Sequence, residues 1–264
     1  MIAADHRSFR LRILRSGSSG NAIFVDAGST RVLIDAGLPA ETLTRDLLAF
    51  AVSASDLTAV LLTHEHEDHA KGAAALARLA DVPLYANERT IAAAQLAGPR
   101  VERFVTGVPF RVGALTVDAF AVSHDAVEPV GFALACNGTK AIVATDLGAV
   151  GDDLIARARD ADALVVEANY DVRLLAVSPY PWFLKNRIVG GSGHLSNDAA
   201  ARAVVAAGSS GRPQAVVLVH LSEINNLTPL ARDTVQWALD RDGMSHVRVY
   251  AVRPNGTSEF IAVS

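Results

Sequence analysis

The chain has almost no cysteine, no long apolar run and no excess of positive charge. Among its 264 residues Cys136 is the single cysteine, so no intramolecular disulfide can form, and such usage suits a reducing compartment, the cytoplasm. No apolar run approaches the roughly 20 residues that a membrane helix needs. The first fifteen residues, MIAADHRSFRLRILR, hold charges throughout and lack the apolar centre of a signal peptide. No membrane association is expected. The formal net charge is -4, so no global positive charge announces a nucleic-acid binder. That argues only weakly against one, because a local basic patch and metal ions can hold phosphate on an acidic protein. Half of the residues are hydrophobic and a fifth charged, an ordinary globular balance. With no low-complexity tract or linker to mark a boundary, residues 1–264 read as one domain.

What is present is an alternation of short β-rich runs with alanine-rich helical stretches. FRLRILRS, NAIFVDAG and TRVLIDAG read as strands joined by glycine turns. PAETLTRDLLAF reads as a helix, LTAVLLTH as a strand covered on both faces, and DHAKGAAALARLA as a helix. VPLYAN, ALTVDAFAVSHD, VGFALACN, KAIVATDLG, ADALVVEAN, QAVVLVH, VRVYAV and EFIAVS read as further strands. ERTIAAAQLA, NDAAARAVVAAG and LARDTVQWALDRD read as helices. The pattern is α/β and layered, with hairpin-like antiparallel runs expected at each end. Residues 170–193 are the least regular segment.

The chemistry concentrates at LLTHEHEDHAKG, where His64, Glu65, His66, Glu67, Asp68 and His69 follow an apolar run. Neutral imidazole and carboxylate together suit zinc and its neighbours. His64 and His66, two apart, point the same way in an extended or loop backbone. One metal cannot easily take all of His64, His66, Asp68 and His69, because the chain would have to double back within a few ångströms; two adjacent metals can. Other candidates fall at strand ends, where α/β proteins gather sites: His124 after ALTVDAFAVS, Asp146 after KAIVAT and His220 after QAVVLV, with His194 in the glycine turn GGSGHLSN. Taken singly, each would read as structural.

THEHEDH followed in order by VSHD, TDLG and LVHLS resembles the metallo-β-lactamase superfamily, from about residue 11 to the end. The resemblance implies a four-layer αββα sandwich with a di-metal site at the sheet edge. It implies that His64, His66 and His124 hold one metal, that Asp68, His69 and His220 hold the second, and that Asp146 bridges them with a hydroxide between. Glu65 and Glu67 fall on variable positions of the motif and read as a solvated acidic loop. His6 and His246 match nothing and read as surface or satisfied histidines.

Fold does not choose the reaction, so the site must. Lactamases with this motif typically carry cysteine as a second-site ligand; here Asp146 is the candidate, and Cys136 reads as a buried packing thiol in VGFALACN. His194 is surplus to the metal set. Glu167, His194, a helix, a strand and His220, in that order, resemble ribonuclease Z and its relatives, in which a histidine oriented by a glutamate faces the scissile phosphate. A histidinium there assists a leaving oxygen, and Glu167 would keep it protonated. The alternative is that His194 only organises its glycine loop. Glu167 follows Asp146 too closely for a lid domain between them, and no Gly- and Lys-rich arm for transfer RNA is visible. SGSSGN, LIDAGL, SHDAVEPVGF, VVEANYD, PYPWFLKNRIVGGSGHLSN and HLSEINN together resemble the YycJ/WalJ-type branch of bacterial metallo-hydrolases, which is associated with 5′-to-3′ exonuclease activity on DNA.

YPWFLKNR interleaves Tyr180, Trp182 and Phe183 with Lys185 and Arg187. Two readings stand: a surface that stacks bases and holds phosphates, or a helix with aromatics toward the core and cations toward water. Ser196 and Asn197 open a helix, where a cap and a phosphate seat are both possible. Ser18, Ser19 and Asn21 form a glycine-flanked turn that the resemblance places near the metals. They and Ser222, Asn225 and Asn226 are candidates for substrate contact or simple turn formers. The reading that unites these features is a di-metal phosphodiesterase with two zinc or manganese ions. It acts on nucleic acid, DNA over RNA, as a 5′-to-3′ exonuclease, with Asp68, His194 and Glu167 as catalytic residues. The rivals are a small-molecule hydrolase (a glyoxalase II-like thioesterase or a cyclic phosphodiesterase) and a metal-stabilised binding module.

Overall fold

A computed structural model describes residues 9–98, 100–208 and 211–263; His6 lies outside them, and His246 is exposed. The first sheet is built from β1 (Phe9–Arg15), β2 (Ala22–Ala27), β3 (Thr30–Ile34), β4 (Ala59–Leu61), β5 (Leu84–Asn87) and β6 (Val101–Phe104). Between them run helices α1 (Ala40–Leu48), α2 (Glu67–Ala70), α3 (Ala73–Ala80) and α4 (Glu88–Ala93). The second sheet takes β7 (Phe110–Val112), β8 (Leu115–Ala121), β9 (Val130–Cys136), β10 (Thr139–Ala144), β11 (Ala163–Glu167), β12 (Ala215–Val219) and β13 (Arg248–Ala251). Its helices are α5 (Asp152–Ala158), α6 (Val172–Val177), α7 (Trp182–Val189), α8 (Asn197–Gly208) and α9 (Thr228–Arg241).

The last strand, β14 (Ile261–Val263), returns to the first sheet and pairs antiparallel with β1. The orders are β14-β1-β2-β3-β4-β5-β6 and β13-β12-β11-β10-β9-β8-β7. The expected C-terminal hairpin is therefore corrected: β13 runs parallel to β12, and β14 closes the edge of the other sheet.

Alternation inside the apolar strands sorts their side chains into layers. Val32 and Ile34 of β3, with Leu11, Val25 and Leu61, meet Val117, Phe132, Val143, Val165 and Val217 of the second sheet. Leu33 of β3 faces the other way, with Phe24 and Val60, against Leu43, Leu47 and Leu76 of α1 and α3. Ile142, Leu164 and Leu218 pack against Leu154, Val204 and Val235 of α5, α8 and α9. The result is the αββα sandwich the sequence leads one to expect. Cys136 is buried between the sheets, as a packing thiol.

Two departures place the site. DHAKGAAALARLA is not one helix; α2 ends before Gly72, whose N–H donates to the Ala36 carbonyl at 2.7 Å. A Cβ at Gly72 would overlap the Leu38 carbonyl, so the helix breaks where the chain presses on the 36–38 turn. The irregular 170–193 segment carries two short helices, α6 and α7, of which α7 lines the cleft with Leu184, Arg187 and Ile188. Within both parallel halves the strands β4, β10, β11 and β12 point their C-terminal ends to one edge, delivering His64, Asp146, Glu167 and His220 there.

Candidate metal centre

Three of the residues at this edge sit in left-handed backbone: Asp35 at φ 60°, Asp146 at φ 57° and His220 at φ 56°. Each such residue costs about 1 kcal/mol or more, and the cost concentrates at functional sites. The turns they make carry the chain abruptly off the strand end and bring its side chains together.

His64, His66 and His124 offer ligand atoms within 4.8 Å of one another; so do Asp68, His69 and His220. His64, His69 and Asp146 form a third set, which places Asp146 between the first two. His64 Nε2 stands 3.1 Å from His66 Nδ1, and His69 Nε2 stands 3.1 Å from Asp146 Oδ2. His220 Nε2 is 3.4 Å from Asp146 Oδ1, and Asp68 Oδ2 is 3.6 Å from His69 Nε2. Ligand atoms at ordinary bond lengths around one tetrahedral zinc stand about 3.4 Å apart. The donor set fits a divalent cation in a second way. Asp146 Oδ2 and His220 Nε2 are buried without a hydrogen-bond partner, a penalty of roughly 1–3 kcal/mol each that a cation removes.

The imidazoles are held by their far nitrogens. Nδ1 of His64 lies 2.9 Å from Thr63 Oγ1, and Nδ1 of His69 lies 2.7 Å from Asp35 Oδ2. Nδ1 of His124 lies 3.3 Å from the Gly193 carbonyl, and Nδ1 of His220 lies 2.9 Å from Glu167 Oε1. Acceptors at Nδ1 put the proton there and turn the Nε2 lone pair toward the centre. His66 alone presents Nδ1.

Glu167 is fully buried, and its charge is held by four donors. Oε1 accepts from Nδ1 of both His194, at 2.7 Å, and His220. Oε2 accepts from the backbone N–H of Leu147, at 2.7 Å, and of Leu195, at 3.2 Å. Burial pushes its carboxyl up, but the charge and hydrogen bond of His194, with the bond from His220, hold it below the usual range. Burial lowers His194, yet the Glu167 charge and hydrogen bond, then Asp146 and Asp125, outweigh it and raise the imidazole to about 9. Asp146, Glu167, His194 and His220 are also close enough to form a cation set, but Glu167 Oε1 is already committed to two imidazole protons.

Burial pushes His64 well below the ordinary histidine value and His124 below it, so both are neutral near pH 7. Burial also opposes charge on His69, but Asp146 and Asp35 raise it well above that value. Protons and a cation thus compete for the same buried nitrogen.

A cleft of about 500 Å³ opens over these groups. Of the candidate substrate residues it takes in Ser18, Arg187 and Ser222, with Asn225 and Tyr180. Ser19, Asn21, Lys185, Ser196 and Asn197 do not line it. Ser19 bonds Asn255, and Lys185 Nζ donates to the Ala176 carbonyl at 2.7 Å. Asn21 is buried; its Oδ1 accepts from Gly17 N–H and its Nδ2 reaches Asp68 Oδ2 at 3.3 Å, so it ties the 16–21 turn to the loop of His64, His66 and Asp68. Ser196 Oγ caps α8 by accepting from Ala199 N–H, and Asn197 pairs with buried Asn226. Glu67 is exposed and pairs with Lys71. Glu65 is not the solvated acid expected: its Oε1 accepts from Val127 N–H at 2.9 Å and anchors the loop after His124. Trp182 and Phe183 are 75 % and 74 % exposed, which removes the reading that they face the core.

Four residues that sequence reasoning left without a role belong here. Asp35 and Thr63 hold His69 and His64. Asn169 Nδ2 donates to the His220 carbonyl at 2.8 Å. Asp125 Oδ1 lies 3.3 Å from His124 Nε2, and Arg187 holds its other oxygen at 2.7 Å. The available signals were the aspartates ending LID and VSHD and the asparagine two places after Glu167.

The beta-lactamase superfamily domain model matches residues 30–221. The chain is 38 % identical over 236 residues to the exodeoxyribonuclease YycJ of Bacillus anthracis, spanning 88 % of this chain and 89 % of that protein. It is 36 % identical over 234 residues to the exodeoxyribonuclease WalJ of Streptococcus pneumoniae, spanning 86 % and 87 %. Among solved structures, the metallo-β-lactamase fold protein YhfI of Bacillus subtilis superposes with a TM-score of 0.74 at 16 % identity, over 97 % of this chain and 99 % of that one, a likeness of fold alone. The chain therefore belongs to the β-lactamase superfamily of metal-dependent hydrolases and, within it, to the YycJ/WalJ-type group. Among the described residues, no helix is long and apolar enough to cross a membrane.

Proposed function

We propose that this protein is a two-metal phosphodiesterase that removes nucleotides from the 5′ end of DNA, in the cytoplasm. The names of its relatives support the substrate, and one observation carries the chemistry: His194 hydrogen-bonded to the buried Glu167, beside two sets of residues that could each hold a cation. His64, His66 and His124 would hold one cation, and Asp68, His69 and His220 the other, with Asp146 shared between them. Zinc and manganese both suit these donors. Bound cations supply Lewis acidity and a water nucleophilic near neutral pH.

The residues supply the rest. Asp68, partly exposed at the cleft wall with Asn21 Nδ2 at 3.3 Å from its Oδ2, would help hold a cation and orient the attacking water. His194 Nδ1–H is held by Glu167, so its Nε2–H is the proton free for the leaving oxygen of a phosphodiester. A thioester's thiolate leaves without such help, which makes His194 the residue that separates this reading from a small-molecule thioesterase. The cleft is lined by Ser18, Ser222 and Arg187, which can donate to phosphate oxygens.

The test is digestion of end-labelled DNA and RNA of matched sequence, with and without a 5′-phosphate, by zinc- or manganese-loaded protein and by His194→Ala. Stepwise loss from the 5′ end of DNA, reduced at least a hundredfold in the variant, is expected. Hydrolysis of a thioester or simple phosphodiester, undiminished in the variant and without cleavage of any polymer, would overturn it.

A further inference from the structure

The proton donor His194 follows a turn that has little of its own to hold it. Gly190, Gly191, Ser192 and Gly193 link α7 to His194, and glycines carry no side chain that could fix one shape. The turn is nevertheless closely fitted. Gly193 N–H donates to the Gly190 carbonyl at 2.8 Å, and His194 N–H donates to the Ile188 carbonyl at 2.9 Å. A Cβ at Gly193 would lie 2.2 Å from the Arg187 carbonyl oxygen, and a Cβ at Gly148 would lie 2.2 Å from the Gly191 carbonyl oxygen.

One short segment after β8 reaches the turn from outside, with three consecutive residues. Ser123 Oγ donates to the Gly191 carbonyl at 2.5 Å, and His124 Nδ1 lies 3.3 Å from the Gly193 carbonyl. Asp125 Oδ2 accepts from Arg187 Nε at 2.9 Å and from Arg187 Nη2 at 2.7 Å. Arg187 stands in the last turn of α7, directly before the glycines. The side chains of Arg187 and Asp125 are 65 % and 35 % exposed, so their ion pair adds little to global stability. What the pair does fix is the end of α7, and with it the start of the glycine turn.

Resting on the phosphodiesterase reading of His194, we infer that Asp125 and Arg187 are positioning residues. Their ion pair pins the end of α7 to the 123–125 segment and so holds His194 where its Nε2–H meets the leaving oxygen. In that step a water oxygen bonds to phosphorus and the bond from phosphorus to the 3′-oxygen of the terminal nucleotide breaks. The proton on His194 Nε2 passes to the 3′-oxygen. The proton lost by the attacking water goes to solvent, from which His194 is reloaded. The shortened strand keeps the phosphate at its 5′ end. A misplacement of about 1 Å at such a group costs about a hundredfold in rate.

The experiment compares two DNA substrates whose terminal linkage carries either the natural 3′-oxygen or a sulfur in its place. A thiolate leaves without a proton, so the ratio of the sulfur rate to the oxygen rate reads proton donation. Changes in metal loading or in phosphate contact fall on both substrates and cancel in the ratio. In the metal-loaded enzyme, Asp125→Asn should raise that ratio about tenfold or more, with the urea midpoint unmoved. Arg187→Gln and the double variant should raise it by about the same factor, because all three break one bond. His194→Ala is run beside them and should raise it most. An unchanged ratio in either single variant, with a raised ratio in His194→Ala, would overturn the positioning role and leave the site reading standing. A ratio that His194→Ala does not move would overturn the site reading itself, and the role of the pair with it.

Discussion

Replacing Glu167 by glutamine isolates the charge on which the proposed role of His194 depends. The side chain keeps its size but loses one acceptor. Its amide would face either the two imidazole protons on Oε1 or the backbone N–H groups of Leu147 and Leu195 on Oε2. With the amide on the imidazole side, donor meets donor in a fully buried place as long as the imidazoles carry protons on Nδ1, a penalty of about 1–3 kcal/mol that eases at high pH, where a neutral ring can shift its proton to Nε2. The charge acts on top of that. With His194 at about 9, about 97 % of it is protonated at pH 7.5. At the ordinary 6.5 the fraction is about 9 %, so protonation alone predicts a roughly tenfold loss of rate at pH 7.5. The upper bound is the roughly 100- to 10,000-fold value of general acid catalysis.

Stability should follow the same charge. His194 is raised on folding, so its contribution is complete below pH 6.5 and is lost as pH rises through about 9. That contribution is about 3 kcal/mol, and the depressed Glu167 is the other side of the same pair, counted once. Urea denaturation in chelator at pH 6 and pH 9.5, and pH–rate profiles of both proteins, are the assays. The variant should lose several kcal/mol at pH 6, much less at pH 9.5, and the alkaline limb of its rate profile should move from about 9 toward 6.5. Equal losses at both pH values with an unmoved limb would show that Glu167 does not charge His194.

Other outcomes follow from the same geometry. Asp35→Asn puts an amide against His69 Nδ1, forces the proton to Nε2 and should weaken metal binding about 10- to 100-fold by calorimetry. Gly37→Ala sets a Cβ onto the Asp68 carbonyl and 2.7 Å from Asn21 N, and should cost at least about 3 kcal/mol in chemical denaturation. Chelation should abolish hydrolysis and lower Tm, with zinc or manganese restoring both; a site at a hundredfold excess over Kd contributes about 2.7 kcal/mol.

How much of this was legible before folding differs residue by residue. The cluster His64, His66, Asp68 and His69 is local, so its crowding is visible in six positions of sequence. His124, Asp146 and His220 were legible as residues at the ends of apolar runs, which gained weight beside the local cluster, and Glu167 only through the resemblance to ribonuclease Z. The layering followed likewise, since alternation within each run sorts side chains to opposite faces. Asp35 was invisible, because its partner His69 lies 34 positions away. Glu65 read as a solvated acid for the same reason; its donor, Val127 N–H, arrives from the far side of the site. The loop after His124 meets Glu65 only when the two sheets close.

Sequence by itself determined the composition of the histidine and aspartate cluster, the alternation of strands and helices, and the order in which the clustered residues arrive. Tertiary structure alone decided which nitrogen each histidine presents, because that depends on acceptors such as Asp35, Gly193 and Glu167 brought in by other elements. It alone turned Asn21 and Asn197 inward and left Trp182 and Phe183 outside. Residue type and spacing set what a side chain can do; whether it meets metal, solvent or core is fixed by contacts between segments far apart in the chain.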